Sequence, residues 1–262
     1  MKDRLEIAMQ AVLAAGEVVK MYYRGSFELS TKRNYRDLLT STDLASEKTI
    51  IDVIRTSFPQ DKILSEETEK CDIHEDSLWV IDPIDGTSNF AAGLPLHCVS
   101  IAYVEQSVST VGVVYNTLTG DIFSAQKGQG AYLTVGEKKV KISVTDTTDL
   151  KNALVSFDYS SIDEYRQEMR EVTSTLPPLV RGIRIIGATA LELSWVGAGF
   201  LDAYISRGSH PWDVAAGAMI VEESGGKVTD WQGNPWTLES GQYLATNGKL
   251  HDEVLNKIFS KS

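Results

Sequence analysis

Trp79-Val80-Ile81-Asp82-Pro83-Ile84-Asp85-Gly86-Thr87-Ser88-Asn89-Phe90 decides how the rest of this chain is read. The apolar run Leu78–Ile81 predicts a buried strand. A carboxylate ends it, and Pro83 then removes a backbone donor and fixes φ. Asp85 follows, then a glycine and two hydroxyls. Two acids at a strand exit, held by a stiff turn, suit a hard cation. The glycine and hydroxyls offer N–H and O–H donors to an anion. A cation site fused to an anion site is the equipment of metal-assisted phosphate chemistry. Asp-Pro and Asp-Gly are also ordinary turn pairs. An EF-hand register fails, because Gly86 at the loop's sixth place would make Ile81 the first ligand.

Composition narrows the class. The 262 residues allow one large domain or two intimate halves. With 42% hydrophobic and 23% charged residues, the chain is an ordinary globular one. A net charge of −11 argues against a nucleic-acid or anionic-membrane surface, so neither partner is expected. It also means that a phosphate substrate would need bound cations. Cys71 and Cys98 form no CxxC and are expected as free thiols. The first segment is broken by Glu6, Gln10 and Glu17, unlike a signal peptide. No apolar run approaches the ~20 residues of a membrane span. A cytoplasmic location is the expectation.

Leu5, Ala8, Val12, Ala15 and Val19 repeat at helical spacing and predict a helix over 3–24. A strand is expected over Phe27–Arg33. A second helix, capped by Ser41 or Thr42, runs to about Phe58 before Pro59. Lys62–Ser65 is a short strand delivering Glu66 and Glu67. From Leu78 to Ser143 strand-like runs with turn signals suggest an antiparallel meander, with a hairpin turn at Gly128–Gly130. Beyond residue 145, strands (154–157, 183–186, 203–206, 227–230, 243–246) alternate with helices (162–175, 190–200, 212–224, 250–259). A soft boundary near 143–150 separates an N-terminal half, 1–145, from a C-terminal half, 146–262. The two are expected to pack as one unit.

Further acids stand where they can join Asp82 and Asp85. Glu66 ends an apolar run as Asp82 does, so neighbouring strands would bring them together. Asp213 opens a helix in Pro211-Trp212-Asp213, where it suits either the helix dipole or a ligand role. The residues after it are small, as tight packing requires. Asp43, in Thr40-Ser41-Thr42-Asp43, has the same choice between capping and chemistry.

Thr-x-x-Asp, Glu-Glu, Asp-Pro-Ile-Asp-Gly-Thr and Trp-Asp, in this order, resemble the inositol monophosphatase family, along nearly the whole chain. The resemblance implies a layered αβαβα sandwich of the α+β class, shared with fructose-1,6-bisphosphatases. It implies Mg²⁺-dependent hydrolysis of a phosphate monoester by water. By matching position, Glu66, Asp82, the backbone carbonyl of Ile84, Asp85 and Asp213 look like ligands of two or three Mg²⁺ ions. Asp43 and Thr87, with Glu66, resemble the groups that activate the attacking water. Gly86, Thr87 and Ser88 look like the phosphate cradle, and Lys32 or Arg33 a mobile-loop cation. Lithium sensitivity and a homodimer are implied as well.

Substrate choice is less legible. Animal members carry an inositol-binding glutamate at the position of Ser206. Its replacement points to relaxed specificity, toward inositol monophosphate and also a bulkier phosphate such as NADP or fructose 1,6-bisphosphate. Arg207 would either meet a second anion or point into solvent. Gly187 and Ala188, with Thr189, form a strand exit expected to touch substrate, and Phe157–Ser160 would line the pocket. A metal-binding regulatory homologue without turnover is the reading from a different class.

Overall fold

In the computed structural model, which describes residues 3–259, the first helical period becomes α1 (Arg4–Tyr22), capped by Asp3 through the Leu5 amide. The strand expected over 27–33 shortens to β1 (Leu29–Thr31). It pairs antiparallel with β2 (Leu38–Thr40), a partner not anticipated from the sequence. All three β1 residues are exposed, so no apolar alternation marked its ends. The next helix, α2 (Ser41–Ser57), is capped by Thr40 rather than by Ser41 or Thr42. The reason is a capping box: Asp43 accepts from the Thr40 amide at 2.8 Å and from its hydroxyl at 2.5 Å.

A seven-stranded sheet follows, in the order β3 (Lys62–Ser65), β4 (Ser77–Asp85), β5 (Cys98–Glu105), β6 (Val108–Tyr115), β7 (Ile122–Gln126), β8 (Gly130–Val135), β9 (Lys138–Lys141). Only β3 and β4 are parallel; the rest is the expected meander. Strand parity separates its two faces. Trp79, Ile81, Ile101, Tyr103 and Val113 turn toward α1 and α2. Leu78, Val80, Ala102, Val104 and Val114 turn the other way. The lysine-rich β9 is a fully exposed edge, which hides it from an apolar-pattern search. Between β4 and β5 lies the short α3 (Thr87–Ala91).

The second sheet has five strands, built from β10 (Leu154–Phe157), β11 (Gly182–Arg184), β12 (Ala203–Arg207), β13 (Lys227–Thr229) and β14 (Gln242–Thr246), ordered β11-β10-β12-β14-β13. Helices α5 (Thr189–Gly197) and α6 (Pro211–Glu223) lie between the sheets, while α4 (Asp163–Thr175) and α7 (His251–Val254) cover the outer face. The layers therefore run helix, sheet, helix, sheet, helix. Glycines set the central spacing. A Cβ on Gly112 of β6 would stand 2.6 Å from the Ala216 carbonyl of α6, and one on Gly217 would stand 2.5 Å from Leu193 Cβ of α5. Among the described residues no helix is long and apolar enough to cross a membrane, and both cysteines are free.

Candidate active site

Parallel pairing of β3 with β4 puts Ser65 opposite Ile81, so the next residues, Glu66 and Asp82, leave the sheet side by side. The Glu66 amide continues the ladder to the Ile81 carbonyl at 3.2 Å. Asp82 and Asp85 are three positions apart and would face opposite sides of a regular strand. A bulge corrects this: Asp82 pairs with Ser100 and Asp85 with Cys98, so one extra residue is absorbed and both acids share the face toward α5 and α6. Pro83 sits in that bulge, where a missing N–H is tolerated. Asp213, in the first turn of α6, caps it by accepting from the His210 amide at 2.6 Å.

Asp43 comes from α2 and Thr87 from α3. Asp43 Oδ1 lies 3.2 Å from Thr87 Oγ1, and the same hydroxyl lies 2.9 Å from the Ile84 carbonyl. Its single proton serves one acceptor at a time. Gly86 between them has φ +88°, and a Cβ there would meet the Leu96 carbonyl at 2.9 Å and Ala188 Cβ at 3.2 Å. Only glycine satisfies both demands. The amides of Thr87 and Ser88, in the first turn of α3, have no intrahelical acceptor.

Electrostatics mark these acids as a group. Burial raises the Asp43 carboxyl to about 6; Thr40's hydrogen bonds oppose the shift and Glu66 adds to it. Asp85 is raised to about 7 by burial, against the hydrogen bonds of Cys98 and the α5 amides. Asp82 and Asp213 lie well above the carboxylate range, first through burial and then through the charges of Glu66 and Asp85. Glu67 rises to about 7 for the same two reasons, burial and Glu66. Lys32 Nζ answers part of this charge, 2.6 Å from Glu66 and 2.5 Å from Glu67. Burial works against its ammonium, yet the two glutamates raise its pKa overall. Arg33 instead pairs with Asp37 at 2.7 Å and approaches His210.

The donor set fits a hard divalent cation: carboxylates and one backbone carbonyl, all oxygen and mutually repelling, with Asp82 and Asp85 buried and Glu66 and Asp213 half-buried. Among the described residues no three ligand-type side chains are drawn to closed ligand geometry. Lys32 occupies Glu66, and Asp85 caps α5 by accepting from Thr189, Ala190 and Leu191 amides at 3.1, 2.8 and 3.4 Å. A cation bound here would compete with both arrangements.

On the opposite wall, Ser206 is buried and its hydroxyl has no partner, while the residue lines a cleft of about 180 Å³ with Glu66, Asp158, Thr189 and Asp213. Gly187 and Ala188 abut Gly86, but their amides are engaged: Gly187 N donates to Asp158 at 2.8 Å and Ala188 N to Glu192 at 3.4 Å. Arg207 is half-buried at the rim of that cleft, and its guanidinium is already paired rather than free for a second anion. Its Nε and Nη2 bond Glu168 at 2.6 and 3.2 Å, Nη1 bonds the Gly241 carbonyl at 3.2 Å, and Tyr165 covers its face. The acid that neutralises it, Glu168, is on α4, remote in sequence, and no local pattern announces it.

Two buried acids beside the site escaped the sequence reading. Glu47 accepts from the Ser65 hydroxyl and from the Glu67 and Thr68 amides, fastening the turn that carries Glu66. Glu192 accepts from the Ser156 hydroxyl behind Ala188. Glu47 could have been found, since it lies one helical turn from Asp43 on the face of Ile50 and Ile54.

Comparison with known proteins agrees with this geometry. An inositol-1-monophosphatase of Synechocystis sp. is 38% identical over 251 residues, covering 95% of this chain and 86% of its own. In Thermotoga maritima, a fructose-1,6-bisphosphatase/inositol-1-monophosphatase is 34% identical, covering 98% of this chain and 96% of its own. A solved Thermotoga maritima IMPase superposes with a TM-score of 0.89 at 33% identity, over 98% of this chain and 97% of that one. A Nus factor SuhB of Pasteurella multocida is 35% identical over 98% of this chain and 96% of its own. The model of the inositol monophosphatase family matches residues 1–262, and with acids, layers and relatives in agreement, the chain belongs to that family.

Proposed function

We propose that this chain is a Mg²⁺-dependent phosphate monoester hydrolase of the inositol-1-monophosphatase type with relaxed specificity. The observation that carries this reading is the Asp43–Thr87 pair, 3.2 Å apart, beside a buried group of acids that repel one another. Glu66, Asp82, the Ile84 carbonyl, Asp85 and Asp213 would hold two to three Mg²⁺ ions. When bound, they neutralise phosphate charge and lower the pKa of an attacking water. Thr87 Oγ1 takes a proton from the water and gives its own to Asp43 Oδ1. Asp43 is ionised at neutral pH, as a base must be. The water oxygen bonds to phosphorus, the ester P–O bond breaks, and the leaving oxygen takes a proton from bulk water, to which Asp43 releases the one it accepted. Amides of Gly86, Thr87 and Ser88 face the phosphoryl oxygens. Ser206, buried and unpaired, would offer its hydroxyl to a substrate hydroxyl. Lithium sensitivity, a homodimer and a cytoplasmic location rest on family membership alone.

The Thermotoga relative's name favours a second activity on fructose 1,6-bisphosphate, and NADP belongs in the same test. Phosphate release with Mg²⁺ is measured from inositol 1-phosphate, fructose 1,6-bisphosphate and NADP. At least one is expected to turn over, with kcat lowered ~10²–10⁴-fold in Asp43→Asn. No turnover of any despite Mg²⁺ binding would sink the hydrolase reading. It would favour a partner-directed role, as the name of the Pasteurella relative suggests for that protein.

A further inference from the structure

Relaxed specificity needs something that holds a bulkier phosphate ester, and Arg207 is closed by Glu168. Another arginine set is open. Arg166 and Arg170 lie four positions apart on α4 and so share a helix face. The loop between β1 and β2 carries Arg36 to them. Its Nη1 bonds Asp163 at 2.7 Å, while Asn34 Nδ2 bonds the Ser161 carbonyl at 3.1 Å, tying the loop to the chain before α4. Arg36, Arg166, Arg170 and Tyr159 line an open cleft of about 500 Å³.

Position and charge both single this cleft out. Tyr159 lines it and also lines the cleft that contains Glu66, Ser206 and Asp213, so one side chain separates the two. A chain of net charge −11 gathers three arginines here against one lining carboxylate, Asp163, whose side chain is 79% exposed. Arg166 is oriented by the Ser160 carbonyl at 3.1 Å and lies 4.8 Å over the Tyr159 ring. The Arg170 guanidinium has no partner among the described residues. Guanidinium forks pair with phosphate oxygens through two charge-assisted hydrogen bonds.

We propose that the Arg36–Arg166–Arg170 cleft binds the second phosphate group of an extended phosphate ester whose scissile phosphate lies among Asp43, Asp82 and Thr87. Tyr159 offers its ring to the part of the molecule between them. A sugar bisphosphate and a dinucleotide phosphate share this chemistry. The inference rests on the hydrolase reading above and names its substrate class.

Arg170→Gln and the double variant Arg166→Gln/Arg170→Gln test it. Arg170 is exposed, so helix α4 should survive its loss, which circular dichroism checks. Steady-state kinetics compare inositol 1-phosphate with fructose 1,6-bisphosphate and with NADP. In the double variant, KM for at least one of the latter two should rise about tenfold or more, as loss of a charge-assisted contact implies. Its kcat should hold, and KM for inositol 1-phosphate should move less than about twofold. A rise shared equally by all three substrates, or none for fructose 1,6-bisphosphate and NADP, overturns the proposal. If the wild type hydrolyses nothing, the hydrolase reading fails separately. Calorimetric titration of fructose 1,6-bisphosphate and NADP in Mg²⁺ then decides the cleft. Weaker binding by the double variant supports it, and equal or absent binding in both proteins overturns it.

Discussion

Glu47 is as buried as any group in the site, yet it faces the chain rather than the cleft. Its carboxylate holds Ser65 and the amides of Glu67 and Thr68, at 3.2 and 3.0 Å, and so fixes where Glu66 leaves β3. Partners that orient ligands carry much of a metal site's affinity. Glu47→Gln keeps the shape but removes the charge that those donors face. The half-saturating Mg²⁺ concentration should rise about tenfold, with a smaller loss of kcat at saturating Mg²⁺. Phosphate release against Mg²⁺ concentration checks this, and an unchanged Mg²⁺ curve would deny Glu47 a positioning role. Asp43 was legible because it sits in a local motif with Thr40. The burial of Glu47, four residues on, was legible from the same helix face, but its role was not, because its partners come from β3 and the turn after it. Ser206 and Arg207 show the same limit. Adjacent in sequence, one faces the cleft with a free hydroxyl, while the other is neutralised by a helix that begins far upstream.

Elements explain why the acids meet. The β3–β4 parallel pair brings Glu66 to Asp82, and the bulge at Pro83 brings Asp85 to the same face. That bulge was half legible: a proline inside a buried strand run signals one, but only the pairing with β5 shows which way parity is reset. Helix α6, which brings Asp213, must lie close against β6, and Gly112 makes the approach feasible. A methyl there would face the Ala216 carbonyl at 2.6 Å and its Cα at 3.1 Å, both backbone and unable to step aside. Gly112→Ala should therefore destabilise by ~1–3 kcal/mol, the usual cost of overpacking. For a chain of this size that corresponds to about 2–4 °C in Tm per kcal/mol. Thermal unfolding followed by circular dichroism checks it, and a Tm at or above wild type would refute the tight contact. The small residues after Asp213 hinted at this approach, but nothing local to Gly112 named its partner.

At the scale of the whole molecule, the order of layers followed from family resemblance rather than from periodicity. Period-2 runs identify strands, but they do not say that β14 joins β12 and β13 while β9 closes the other sheet. The same distant packing creates buried histidines whose titration the sequence does not announce. His251 is fully buried, held by Thr229 at 2.9 Å and Thr246 at 3.0 Å, and burial lowers its pKa to about 4, with Lys227 adding to the shift. His97 is buried against Phe90 and Tyr23 and is likewise lowered to about 4 by burial. Unfolded histidine titrates near 6.5, so between pH 6.5 and 4 the unfolded chain binds protons that the folded chain refuses. The stability tied to these groups is complete above pH 6.5 and falls as pH drops toward 4. Buried carboxylates such as Asp43 and Glu67 have raised values and pull the other way, gaining stability as pH falls. Comparing wild type with His251→Gln at each pH cancels that contribution. Urea unfolding should show the variant closing its gap on the wild type, or overtaking it, as pH falls from 7 to 4.5. A gap that is constant across this range would mean that His251 binds its proton equally in the folded and unfolded states.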